Sequence, residues 1–566
     1  MGTALTDVFA RLPGVATARQ YRREWLRPDI TAGLVLTALL IPAGMGYAEA
    51  AGLPAYAGLY ATIVPLLAYA VVGPSKILVL GPDSSLAPLI AAAVVPLAVT
   101  GDPETALALA GILAVLVGLI LLVAGFLRLG FVTDLLSKPI RLGYLNAIAL
   151  IVVVGQLPKL LGFSVDADNL IEQGWETAHA AFSGGVDLVT ATIGFGSLAI
   201  IVAFRLWLPR VPGVLVAVVA AIIVSAALGL TDDVGMVGAL PDGMPLPSFG
   251  GVDWSDVVKL VGPAAGIALI AFADTGVLSR TFAARHGEEV NGSTEMKAIG
   301  VANIAGGLFS GFPISASGSR TPVAEQAGAK TQLAGVVGAL AVLVFVLAAP
   351  GVTAYLPDAT LAAVVIVAAT ALVDVSGMVR MFRMSRIEFA LAVAAFVGVA
   401  LVGVLEGVLV AIGLSFVAVV ARAWQPYRTE LVQVADRPGF HDIARHPGGR
   451  RIPGLVLVRF DAPLFFANGG IFDDYVRSVV AAAHERVDWV IVAAEPVTGI
   501  DTTAVDELID LDTYLASKGI RLVFAEMKGP MKDRLIRFGL GDRFGPDRFH
   551  PTIEAAVDAF RGREGR

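Results

Sequence analysis

The feature that most constrains this chain is a succession of apolar runs, each close to the length that crosses a bilayer, whose connections carry Lys and Arg only at every second position. A helix rises 1.5 Å per residue, so a hydrocarbon core takes about 20 apolar residues to span. Candidate spans begin near Ile30, Pro54, Pro82, Thr105, Lys138, Asp187, Val211, Val258, Asn291, Ala316, Thr331, Pro357, Ile387 and Leu405, about fourteen in all. With the N-terminus inside, the inward connections hold Lys76; Arg128, Lys138 and Arg141; Arg205 and Arg210; Arg280, Arg285 and Lys297; Lys330; and Arg380, Arg383 and Arg386. The outward ones, residues 49–54, 100–105, 162–187, 231–256, 311–314, 350–358 and 403–407, hold no Lys or Arg. Basic residues are retained on the cytoplasmic face. The alternation therefore predicts a multi-pass protein of the plasma membrane with both termini cytoplasmic.

Composition fits that reading. Of 566 residues 56% are hydrophobic and only 16% charged, against roughly 25% charged in soluble domains. A net charge of -7 gives no reason to expect nucleic acid as a partner. The absence of cysteine excludes disulfides, iron–sulfur clusters and cysteine zinc sites. Among six histidines only His441 and His446 are near neighbours; a solvated loop is the simpler reading than a metal pair. The basic stretch 19–27 feeds a long apolar run and further spans, which reads as a cytoplasmic cap rather than a cleavable signal. Residues 1–29 are then a cytoplasmic segment and 30–424 a transmembrane domain. Residues 425–452 read as a polar linker and 453–566 as a soluble α/β domain. In that domain 455–460, 490–492 and 522–524 read as strands, and 472–484, 502–517 and 531–538 as amphipathic helices.

Two segments break helix rules at matching places, one at the third candidate span (77–85, Ile-Leu-Val-Leu-Gly-Pro-Asp-Ser-Ser) and one at the tenth (309–322, through Gly311, Pro313, Ser315, Ser317, Gly318, Ser319, Arg320 and Pro322). Gly/Pro-interrupted spans in corresponding positions point to an inverted-repeat transporter with its site at the midplane. A helix that starts inside the membrane exposes amides without partners and a partial positive charge. Two facing starts would favour an anion. Ser84, Ser85, Ser317 and Ser319 add hydroxyls, Gly318 allows close backbone approach, and Arg320 adds a cation at membrane depth. The plainer alternative has the serines as caps and Arg320 paired with a carboxylate. Asp274, in the apolar run 264–277, would then brace Arg320 or bind H+ or Na+ as a coupling ion. Asp83 reads as an N-cap. Pro42, Gly44 and Gly46 allow bending and close packing, with Tyr47 on a pocket wall or in ordinary packing. In the soluble domain Asp501 or Thr502 would cap a helix, or Thr502 would mark a phosphorylation turn. No Walker A, HExxH or GxSxG pattern occurs, so an enzyme is not expected.

The stretch Ile41-Pro42-Ala43-Gly44-Met45-Gly46-Tyr47-Ala48, with Ala51-Gly52-Leu53-Pro54 and Gly58-Leu59-Tyr60, resembles the signature of the SulP family, bacterial relatives of the SLC26 anion transporters. So do Gly81-Pro82, the stretch 282–287, Phe312-Pro313 through Ser319-Arg320-Thr321, and 327–331; the C-terminal part resembles a STAS domain with Asp501-Thr502-Thr503 at its turn. The resemblance implies an α-helical membrane fold of fourteen spans. These form two inverted seven-helix repeats divided into core and gate domains, with elevator-type movement and a homodimer. It implies an anion held between Ser84, Ser85, Leu86 and Ala316, Ser317, Gly318, Ser319, Arg320, with Tyr47 nearby and Asp274 beneath, and no cofactor. Sulfate is the first substrate to expect, with bicarbonate, dicarboxylate and chloride as others; a channel or a sensor signalling through the STAS domain are the competing functions. Two positions depart from the pattern. Ala43 stands where the family usually has Gln, and Asp274 where it often has Glu.

Overall fold

The computed structural model describes residues 12–98, 102–130, 137–165, 167, 169–208, 211–241, 243, 252–435 and 437–564. The first eleven residues of the 1–29 segment, Arg210 and parts of the connections 100–105 and 231–256 lie outside them. The chain divides into two compact units, Met1–Ser415 and Phe416–Arg566.

The first unit is helical. In chain order it holds α1 (Pro13–Arg19), α2 (Leu26–Ala50), α3 (Ala55–Val72), the two-residue strand β1 (Leu80–Gly81), α4 (Ala87–Val94), α5 (Pro103–Phe126), α6 (Lys138–Leu161), α7 (Leu170–Phe182), α8 (Leu188–Trp207) and α9 (Gly213–Leu228). The second half follows with α10 (Trp254–Arg285), α11 (Gly292–Leu308), β2 (Ser315–Ala316), α12 (Arg320–Gln326), α13 (Leu333–Ala348), α14 (Asp358–Thr370), α15 (Val375–Met384), α16 (Arg386–Leu401) and α17 (Val404–Trp424). Each apolar run named above contains a helix. Among the described residues, seven helical segments are long and apolar enough to cross a membrane unaided. The amphipathic α7 and α15 were not foreseen, because Glu172, Glu176, Arg380 and Arg383 interrupt their apolar runs in sequence.

Packing partners repeat between the halves. If α2, α3, α4, α5, α6 and α8 correspond to α10, α11, α12, α13, α14 and α16, four of the packing contacts have counterparts. α2 packs on α13 as α10 packs on α5, α5 on α11 as α13 on α3, α2 on α12 as α10 on α4, and α6 on α16 as α14 on α8. These pairs also sort the helices into two groups. α2–α5 with α10–α13 form one, and α6, α8, α9, α14 and α16 the other, meeting chiefly where α2 touches α14 and α9. Tight backbone approach holds the first group together: a Cβ on Gly58 would lie 1.8 Å from the carbonyl oxygen of Gly44, so α2 and α3 touch through glycines. Pro42 stays inside an unbroken α2.

Charged residues collect at the helix ends. At one end Arg285 pairs with Glu325 at 3.0 Å and Lys76 with Glu288. There the buried Asp29 accepts from the Lys330 and Thr331 amides at 2.6 and 3.1 Å and from the Thr331 hydroxyl at 2.7 Å. At the other end Lys159 meets Glu49 at 3.4 Å.

In the second unit come β3 (Arg428–Gln433), β4 (Phe440–Asp442), β5 (Leu455–Phe460), α18 (Gly469–Ala481), β6 (Trp489–Ala493), α19 (Thr502–Ser517), β7 (Arg521–Ala525), α20 (Gly529–Arg537), β8 (Phe549–His550) and α21 (Ile553–Glu564). They form a six-stranded sheet in the order β4-β3-β5-β6-β7-β8. β5 to β8 run parallel, with Leu455 opposite Trp489 and Trp489 opposite Arg521, while β3 is antiparallel to both neighbours. The parallel strands are apolar on both faces because helices cover both: Val458, Val490 and Leu522 face a core shared with α18 and α19, and Leu457, Ile491 and Val523 face α21. The expected linker over 425–452 is corrected here. β3 and β4 lie inside it and extend the sheet to its β4 edge; β3 is short, and its buried Leu431 and Val432 sit among charges that read as solvated. His441 and His446 stack their rings 5.4 Å apart, and the described residues contain no cluster of three or more metal-ligating side chains.

Candidate functional site

The two interrupted segments meet. β1 and β2 pair antiparallel, Leu80 opposite Ala316 and Gly81 opposite Ser315, so the chain ends that open α4 and α12 are brought side by side. Several polar residues brace this crossing. The Ser317 amide donates to the Val79 carbonyl at 3.0 Å, the Val79 amide to the Thr321 hydroxyl at 3.2 Å, and the Ala316 amide to the Thr275 hydroxyl of α10 at 3.1 Å. Asn303 of α11 bonds both the amide and the carbonyl of Ile314, and the Gln332 amide group donates to the Ser75 and Leu78 carbonyls. Backbone that leaves the helix inside a membrane needs such partners. Sequence reading passed over Thr275, Asn303, Thr321 and Gln332, although an amide or hydroxyl in an apolar run beside a break is a signal for a brace.

The helices that begin here are shorter than foreseen: eight residues in α4 and seven in α12. Their amides are also less free. Asp83 carries much of the capping at α4, as its N-cap reading implied, but from a position before the helix. Its carboxylate accepts from the Ser85 amide at 3.1 Å and the Ser85 hydroxyl at 2.9 Å, and its carbonyl accepts from the Leu86 and Ala87 amides. On the α12 side Arg320 donates its own amide to the Ser317 hydroxyl at 3.3 Å, and the Ser317 and Ser319 hydroxyls lie 3.2 Å apart. Gly318 and Ser319 are exposed, between a fully buried Ser317 and an Arg320 that is 1% exposed. The tip of this loop therefore faces solvent while its flanks do not.

Arg320 dominates the electrostatics. One Nη donates to the Pro82 carbonyl, and the remaining Nε and Nη1 donors are buried without a protein partner. The guanidinium fits because Gly81 has no side chain: its φ is +148°, and a Cβ there would meet the Arg320 Nη1 at 3.0 Å. Tyr47, 4% exposed, lies close enough to Ser84 and Arg320 to interact with both. The brace between Asp274 and Arg320 is not present. Asp274 instead lies 3.0 Å from the Ser85 hydroxyl, whose one proton it shares with Asp83, and it lies near the buried Tyr144. The acid acting on Arg320 at longer range is Asp83. Ala43 is partly buried in α2. The predicted residues Tyr47, Ser84, Ser85, Leu86, Ala316, Ser317, Gly318, Ser319, Arg320 and Asp274 thus lie in one neighbourhood, with Leu86 and Ala316 as buried wall. Burying a guanidinium with two donors unused costs several kcal/mol unless a further acceptor arrives. Hydroxyls, an unfinished cation and solvent access on one side suit a small, desolvated anion.

In the second unit Asp501 does the capping. Its carboxylate accepts from the Ala504 amide at 2.9 Å and, from the loop after β5, the Phe466 amide at 2.8 Å. Thr502 stands exposed on the first turn of α19. Farther off, burial and then the Arg521 charge push the His550 imidazole below its ordinary 6.5.

The chain thus combines a two-stranded crossing of broken helices in an apolar bundle with a separate sheet domain, and its family makes it a multi-pass membrane anion transporter and not an enzyme. Residues 26–395 match the Sulfate permease family and residues 448–556 the STAS domain, and the chain belongs to that family. It is 40% identical to a protein named "Probable sulfate transporter" in Mycobacterium tuberculosis, over 97% of this chain and 98% of that one. It is 28% identical to sulfate transporter 1.3 of Arabidopsis thaliana, over 97% of this chain and 87% of that one. The fold is similar to that of SLC26A9, with a TM-score of 0.92 at 21% identity over 99% of this chain and 94% of that one. It is also similar to the transmembrane domain of the cyanobacterial bicarbonate transporter BicA, with a TM-score of 0.60 at 22% identity over 71% of this chain and 98% of that domain.

Proposed function

We propose that this protein is a secondary active carrier of a small oxyanion, sulfate first, which binds between Ser84–Leu86 and Ala316–Arg320 with Tyr47 as a side wall. The observation that carries the reading is Arg320: a buried guanidinium whose Nε and Nη1 have no protein acceptor, at the point where both broken helices begin. A tetrahedral oxyanion offers acceptors in the spacing of that fork. Fourteen crossings with both termini cytoplasmic agree with the Lys and Arg alternation, and the plasma membrane is the proposed location. The two packing groups act as core and gate, the core carrying the site past the gate as an elevator, in a homodimer. Asp274, bonded to Ser85 of the site and to no cation, is the proposed station for a coupling H+ or Na+. Thr502 is a regulatory position that phosphate would reach at the start of α19. The relatives' names favour sulfate.

The test is tracer uptake into proteoliposomes of sulfate, bicarbonate, succinate and chloride, with and without a pH or Na+ gradient. Sulfate uptake that follows one gradient is expected, and Asp274→Asn should abolish the gradient response. A gradient response that persists in Asp274→Asn would remove the coupling role, and ion currents above carrier turnover would favour a channel.

A further inference from the structure

The end of the bundle opposite Arg285, Lys76 and Lys330 has a cavity of about 550 Å³ between the two packing groups. On the core side it is lined by Glu49 of α2 and by Pro88 and Ala91 of α4; on the gate side by Gln156 and Lys159 of α6. It runs along α4 from Val95 down to Pro88, two residues from the buried Leu86 of the anion site, and stops there. At its mouth Lys159 meets Glu49 at 3.4 Å. This ion pair joins the groups directly: α2 belongs to the core, packing on α3, α12 and α13 while also touching α14 and α9 of the gate, whereas α6 packs on α14 and α16.

Most exposed ion pairs contribute little. This one is lopsided. The Lys159 side chain is 41% accessible, but that of Glu49 only 10%. Removing the lysine therefore leaves a nearly buried carboxylate without its cation, which is far less favourable than losing a surface pair. A second acid, Asp358 at the start of α14, is close enough to interact with both. Asp358 belongs to the gate, as Lys159 does, so a sliding core takes Glu49 away while Asp358 stays. A shift of one helical turn, about 5.4 Å, is enough to break the core contact.

We propose that Glu49 and Lys159 are the outer latch of the carrier: their ion pair holds the core against the gate in this conformation, and it opens, with Lys159 passing to Asp358, when the vestibule is to reach the anion site. The latch rests on the core-and-gate reading above. Glu49 and Lys159 act on the site's access and touch no substrate; they are positioning residues.

The chain has no native cysteine, so Ala91→Cys places a single thiol in the vestibule wall. In the full-length transporter, in vesicles of known orientation, an impermeant maleimide added on the vestibule side should label it about fivefold faster when Glu49→Gln or Lys159→Gln is added. The exchanged pair, Glu49→Lys with Lys159→Glu, should return labelling toward the Ala91→Cys rate, which a merely structural role would not do. Asp358→Asn should slow labelling by depriving Lys159 of its other partner. Unchanged labelling in both Gln variants, or no recovery in the exchanged pair, would overturn the latch. Its failure differs visibly from failure of the carrier reading. If core and gate do not slide, saturating sulfate leaves the Ala91→Cys labelling rate unmoved. If only the latch is wrong, sulfate still changes that rate and the charge variants do not.

Discussion

The two interruptions that meet at the site, residues 77–86 and 311–320, start from similar sequence and end in different states. Both are extended, pass through Gly and Pro, and open a short helix with serines. The first is closed on itself: Asp83 takes the Ser85 amide and hydroxyl with its carboxylate and two more amides with its carbonyl. The second is left open. Gly318 and Ser319 face solvent, and Arg320 keeps two donors unpaired. A repeat supplies two equivalent frames, and side-chain chemistry then makes one a support and the other a receptor. Short helices carry little macrodipole, whose effect is confined to the end turns and amounts to about 0.3–1 kcal/mol. A buried, unfinished guanidinium outweighs that, so attraction for an anion should rest more on the second segment than on the first.

The sharpest way to break this comparison is Arg320→Ala. It should lower uptake by about a hundredfold or more, on the scale of about 3–5 kcal/mol for removing a buried charge partner, with Arg320→Lys keeping the charge but not the fork and recovering only part. Tracer flux normalised to reconstituted protein checks both; near-normal flux in Arg320→Ala ends the asymmetry. Next in size is Gly81→Ala. A Cβ 3.0 Å from Nη1, on a residue at φ +148°, should push the guanidinium off its seat and cost about 1–3 kcal/mol, seen as roughly tenfold weaker uptake with a lowered melting temperature. Alanine at Gly318, where a Cβ would meet only Leu278 at 3.9 Å, should have a smaller effect.

Asp83→Asn sharpens the contrast in the opposite sense. The amide oxygen still accepts from Ser85, so the turn should persist, while a negative charge that acts on Arg320 disappears. KM for the anion should fall by roughly two- to fivefold, an amount that matches about 1 kcal/mol of long-range attraction, with maximal rate nearly unchanged; a raised KM would show that Asp83 helps the anion. The smallest effect lies outside the site. The fold holds the His550 imidazole below its ordinary 6.5, so the unfolded chain binds the proton more readily. The contribution is present above about 6.5 and is lost as pH falls through the folded value. Because His550 is a single, only partly buried group, the shift in unfolding temperature between pH 7.5 and 5.5 should be slight, and His550→Gln should reduce it; an unaltered slope would assign it to other groups.

Much of this molecule was legible in one dimension. Hydrophobic runs and the alternation of Lys and Arg located every helix that begins at a named candidate, because length and polarity are local properties that a membrane enforces residue by residue. Among the elements missed were several whose stability comes from a neighbour: β3, β4 and β8 of the sheet, α21 packed on it, and the amphipathic α7 and α15. The site was read in its members but not in its bonds. Asp274 and Arg320 looked like partners because opposite charges in apolar sequence usually pair, yet one is turned to Ser85 and the other to Pro82.

By itself the sequence determined where the chain is apolar, where helices must break and which two breaks correspond, since glycine, proline and buried charge act through backbone geometry and solvation at their own positions. Tertiary structure alone decided that Leu80 lies opposite Ala316, that Gly81 makes room for Arg320, and that Glu49 meets Lys159 across two packing groups. Those pairings join residues more than a hundred positions apart, and distance in a folded chain is set by packing, which no local pattern encodes.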